Sequence, residues 1–156
     1  MNKQWLRNSH DNYTLWVDGK KIGNMVIKFS QISHRAACMI DGKDFEIKRV
    51  GHWKSNFGMY YSNTQGIFTA ITDKWYTNTF NIAFNHREYK LIIRNNPLME
   101  YVITENNQEI LKYGLETENG KLKLMISTSD KSNHFFDFLL WFLFLPTVVE
   151  NFGNNY

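Results

Sequence analysis

The seven consecutive residues Lys48-Arg49-Val50-Gly51-His52-Trp53-Lys54 gather more chemistry than any other stretch of this chain. Lys48, Arg49 and Lys54 are standing cations, and His52 becomes one when protonated. Gly51 lets a backbone approach a ligand closely, and Trp53 has the apolar body and polar tip of an interfacial side chain. An anionic group such as a phospholipid headgroup would find charge-assisted donors in Lys48, Arg49, His52 and Lys54. The plain alternative is an exposed strand end whose charges are simply solvated.

Other chemistry is sparse. The histidines His10, His34, His52, His86 and His134 show no spacing that sets two of them on one strand face or helix turn, so no metal site is expected. Asp41 and Asp44 flank a Gly-containing turn, which explains Asp41 without catalysis, and Asp73 belongs to a solvated loop beside Lys74 and Trp75. Gly51, Gly58 and Gly66 are too far apart to cradle a phosphate through successive amides, and no serine occupies a nucleophile elbow. The single cysteine, Cys38, lies in Ala36-Ala37-Cys38-Met39-Ile40 and reads as a small apolar strand residue. No cofactor is expected, and nothing supports an enzyme. The net charge of +3 is spread along the chain with no basic arm, so a nucleic-acid partner is not expected. Met1-Asn2-Lys3-Gln4-Trp5 lacks the apolar core of a signal peptide, which points to a cytoplasmic protein.

Strands must position these residues. Met25, Ile27 and Phe29 alternate with polar or smaller neighbours, as do Phe80, Ile82 and Phe84, then Tyr89, Leu91 and Ile93, then Leu122, Leu124 and Ile126. Period two with one wet face marks antiparallel strands. Asp18-Gly19, Asp41-Gly42 and Asn119-Gly120 are two-residue hairpin turns, with Asn85-His86 and Asn106-Asn107 as weaker versions. About a dozen strands are expected over residues 5–127, in one domain covering 1–156.

The most apolar stretch follows. Phe138 to Leu145 are eight large apolar residues in a row. A helix made from them has no polar face and must sit in a bilayer or in a sleeve of protein. Crossing a bilayer takes about 20 apolar residues and usually basic flanks. Here Phe135 to Val149 spans 15 residues, contains Asp137 and Pro146, and is followed by Glu150. A buried helix over about 133–147 is expected, capped by Ser132 or Asn133, with Asp137 in its first turn and Pro146 ending or kinking it. Phe138, Leu139, Trp141, Phe142 and Leu145 are its core residues, and no transmembrane segment is expected. The fold class that satisfies both halves is mainly β: an antiparallel closed barrel of about twelve strands around this hydrophobic C-terminal helix.

This arrangement resembles the tubby-like superfamily, which includes tubby C-terminal domains, phospholipid scramblases and LURP-one-related proteins. The likeness is carried by Thr69-Ala70-Ile71-Thr72-Asp73-Lys74-Trp75, Phe80-Asn81-Ile82, Tyr89-Lys90-Leu91, Tyr101-Val102-Ile103, Gln108-Glu109-Ile110-Leu111 and the Phe135–Leu145 helix. The resemblance is closest to small bacterial-type members. It implies a non-enzymatic binding or scaffold domain, peripheral to a membrane, whose partner is an anionic phospholipid or a protein. The alternatives are a lipocalin-like barrel carrying a small apolar ligand and a tail-anchored protein.

Overall fold

The computed structural model describes residues 1–29, 34–50, 56–72, 77–95, 97–129 and 132–153. In chain order the strands are β1 (Lys3–Ser9), β2 (Asn12–Val17), β3 (Lys20–Phe29), β4 (His34–Ile40), β5 (Lys43–Val50) and β6 (Asn56–Tyr61). They continue as β7 (Gly66–Thr72), β8 (Thr79–Phe84), β9 (Arg87–Asn95), β10 (Met99–Glu105), β11 (Gln108–Glu118) and β12 (Lys121–Thr128), and helix α1 (His134–Phe152) follows. The fold class is the expected one. It is mainly β, with twelve antiparallel strands in the up-and-down order of a barrel and a C-terminal helix packed against strands.

Turn chemistry sets the registers. At Asp18-Gly19, Asp41-Gly42 and Asn119-Gly120 both residues have positive φ, the geometry that matches strand twist. Asn85-His86 and Asn106-Asn107 reach the same geometry without glycine, with φ of 51° and 62°, then 51° and 63°. Asparagine tolerates the left-handed region better than most residues, which is why these turns work.

The chain divides into two compact units, Met1–Thr69 and Ala70–Tyr156, and the division falls within β7. In the first unit the buried face carries Trp5, Tyr13, Leu15, Met25, Ile27, Ala36, Cys38, Phe45, Ile47 and Met59. Each large side chain buried there contributes about 1.5–3 kcal/mol. Burial pushes the Cys38 thiol well above its ordinary pKa, with the Glu46 charge adding to the effect, so it stays a protonated apolar group.

In the second unit α1 lies against β10 and β11. Phe136 meets Phe84 and Tyr89 edge-on, with ring centroids 5.7 and 4.8 Å apart, and Phe144 meets Tyr101 at 5.4 Å. Phe138, Leu139, Trp141 and Phe142 are fully buried and Leu145 nearly so. By length and composition alone α1 would suffice to cross a membrane. Ten of its residues are nonetheless buried within the protein, Asp137 among them.

Of the two expected caps, Asn133 is the one used, its side chain accepting from the Phe135 N–H at 2.9 Å. The far end of the helix differs from expectation. Pro146 does not end the helix, which runs on to Phe152. Proline withholds one N–H, but Pro146 is exposed and Val148, one turn after Leu145, is fully buried and anchors the continuation. The helix stops instead at Gly153, in positive φ, whose N–H bonds to the Val149 carbonyl.

Candidate anion-binding face

Register places three cations side by side. Lys28 pairs with Arg35 across β3 and β4, and Arg35 pairs with Lys48 across β4 and β5. One step along the strands the row Ile27, Ala36, Ile47 and Met59 is buried, so Lys28, Arg35 and Lys48 all project from the exposed face. Directly opposed like charges on a sheet are destabilising, by roughly 0.2–1 kcal/mol per neighbouring pair. Among the described residues no carboxylate forms an ion pair with Lys28 or Lys48. Arg35 approaches Glu46 at 3.8 Å, with both side chains substantially exposed.

The row is continued by Gly58 on β6, the register partner of Lys48. Its missing side chain has a use. The Tyr60 ring lies over it, and a Cβ at Gly58 would come within 2.5 Å of that ring. The Lys48 Nζ then sits 5.0 Å from the centre of the same ring, a cation–π contact that holds the ammonium in place.

The stretch singled out from sequence is divided by the fold. Lys48 and Arg49 are neighbours on one strand, so they point to opposite faces. Arg49 is exposed at the end of β5 and pairs with Phe57. Burial, with the Arg49 charge adding to it, holds His34 below the usual histidine pKa. His52 and Lys54 lie outside the described residues. Lys28 and Arg35 are the partners that the contiguous stretch did not contain. Half of the new geometry is encoded in the Asp41-Gly42 turn: a two-residue hairpin pairing Ile40 with Lys43 must pair Arg35 with Lys48.

Comparison with protein-family models, with curated proteins and with solved structures finds no match. The site therefore has to be judged on its own physics. Charge is distributed unevenly: the first unit holds ten basic and five acidic residues, net +5, and the second eight and ten, net −2. In the first unit a cleft of about 360 Å³ is lined by Lys28 and Arg35 together with Ala37, Asp44, Glu46 and Ser62.

The second unit carries a different constellation. The Tyr113 hydroxyl donates to Asp137 Oδ1 at 2.8 Å, and His134 Nδ1 lies 3.2 Å from Oδ2. Asp137 and Tyr113 are fully buried, whereas the His134 side chain is about one-third exposed, at 35%. These contacts tie the first turn of α1 to β11. His134 and Asp137 are three apart on a helix, a spacing legible in sequence, while the Tyr113 contact arises only from packing. On the exposed side of β9–β11, Arg94 bonds Glu100 at 2.6 Å and Glu109 at 2.7 Å, and these hydrogen bonds raise its pKa. Both sets of partners satisfy one another, which marks them as structural. Among the described residues no group of three metal-ligating side chains converges.

Proposed function

We propose that the chain is a non-enzymatic binding module of tubby-like fold that holds an anionic phospholipid headgroup on the exposed face of β3–β5, at the cytoplasmic surface of a membrane. The observation that carries this reading is the row Lys28–Arg35–Lys48, three cations set directly opposite one another across three strands. Such a row costs stability when empty and repays it when an anion sits on it. The +5 charge of the first unit would draw that unit toward an anionic surface. The buried state of α1 supports its role as core rather than anchor.

Sedimentation with phosphatidylglycerol vesicles in a phosphatidylcholine carrier tests the reading, with pure phosphatidylcholine as reference. A basic residue near an anionic surface contributes about 1 kcal/mol. Lys48→Ala combined with Arg35→Gln should thus weaken partitioning by at least about tenfold, and raised salt should weaken that of the wild type. Vesicle binding that is identical in wild type and double variant would remove the site.

A further inference from the structure

The cleft on this face is not a simple cationic bowl. Its lining combines the cations Lys28 and Arg35, which share one register row, with the carboxylates Glu46 and Asp44 in the rows beyond, and Ala37 is a small residue among longer side chains. Ala37 is the register partner of Glu46, and Met39 of Asp44. At about 3.4 Å per residue, the Glu46 row lies about 7 Å from the Arg35 row, and the Asp44 row about 7 Å further. The Ser62 N–H and hydroxyl both reach the Asp44 carbonyl, at 3.3 Å each, which fixes the far edge.

A bare anion entering between Lys28 and Arg35 would have Glu46, 3.8 Å from Arg35, as an unfavourable neighbour. A ligand that carries its own cation a few bonds from its anion turns that neighbour into a partner. The Arg35–Glu46 contact is long and exposed, so separating it costs little.

Resting on the anion-binding reading above, we infer that this cleft takes a phosphate ester bearing an ammonium group, with the phosphate on Lys28 and Arg35 and the ammonium on Glu46 and Asp44. The aminoalkyl phosphate could be a lipid headgroup or a free small molecule, and the two sources are separable by experiment.

For the free source, phosphoethanolamine and glycerol 3-phosphate are titrated against the whole chain and followed by amide chemical shifts. For the lipid source, vesicles of phosphatidylserine are compared with vesicles of phosphatidylglycerol at equal anionic fraction. The expected result is a roughly three- to tenfold preference for the amine-bearing probe, the discrimination that one or two partly exposed ion pairs supply. Asp44→Asn with Glu46→Gln should erase the preference and, by removing a nearby like charge, tighten glycerol 3-phosphate, and Lys28→Ala with Arg35→Gln should lose binding of both probes. These side chains are exposed or half-exposed, and an unchanged melting temperature checks that each variant folds. Equal binding of amine-bearing and amine-free probes overturns this inference and leaves the anion site standing. Binding of neither class overturns both. Preference in the soluble titration alone upholds the inference and overturns the lipid source.

Discussion

Tyr113→Phe removes one oxygen from a site where the structure allows its value to be worked out. The hydroxyl donates to Asp137 Oδ1 at 2.8 Å, both groups are fully buried, and His134 Nδ1 lies 3.2 Å from the other carboxylate oxygen. A hydrogen bond to a charged group contributes about 1.5–3 kcal/mol, and stranding its buried acceptor carries the desolvation penalty with it. Loss of the hydroxyl should cost about 2 kcal/mol. For a chain of this size, roughly 2–4 °C of melting temperature accompany each kcal/mol, so a fall of about 4–8 °C is expected. Urea denaturation followed by tryptophan fluorescence should show a lower midpoint at unchanged slope. Combining Tyr113→Phe with Asp137→Asn should cost clearly less than the sum of the single changes, by about 1 kcal/mol or more. A Tyr113→Phe variant within about 0.5 kcal/mol of wild type, with additive behaviour in the double variant, would refute the view that this contact fastens α1 to β11.

Truncation after Asn133 removes ten buried residues and should give insoluble protein or one without a cooperative melt; a soluble, cooperatively unfolding fragment would contradict the role assigned to α1. Gly58→Ala places a Cβ in the Tyr60 ring and should swing the ring off Lys48, at a cost of about 1 kcal/mol that vanishes in a Tyr60→Ala background. His34 has its folded pKa lowered below the ordinary 6.5, by burial and then by Arg49, so the unfolded chain binds the proton more readily. Its contribution is therefore complete above about pH 6.5 and declines as pH falls through the window beneath. His34→Gln should flatten stability against pH there, and an unchanged profile would show that other groups govern it.

How much could be read without the structure depended on whether the deciding contacts were local. The Asp-Gly and Asn-Gly turns carried their own geometry, so strand pairing on either side of Asp41-Gly42 followed, and with it the meeting of Arg35 and Lys48. Lys28 is separated from that pair by Ser30-Gln31-Ile32-Ser33, a sequence without a Gly or Asn turn signal, so register could not be read there. The apolar run Phe138–Leu145 announced a buried helix because no face of it suits water. Its end was misplaced because proline propensity argued for Pro146, whereas burial of Val148 decided the matter. Reading Lys48 to Lys54 as one site treated neighbours in sequence as neighbours in space, and strand alternation denies that to Lys48 and Arg49.

The order of assembly is also written into this topology. Every strand finds its partner in the next, so the hairpins need close only short loops and can form within microseconds of leaving the ribosome. The helix against which β10 and β11 are packed follows all of the strands. During synthesis those strands must wait with Tyr101, Ile103, Leu111 and Tyr113 uncovered until α1 has been translated, an interval of about one to four seconds for its residues at usual elongation rates. Nascent chains of this protein are thus most prone to stick to one another, and most in need of a chaperone, just before α1 emerges.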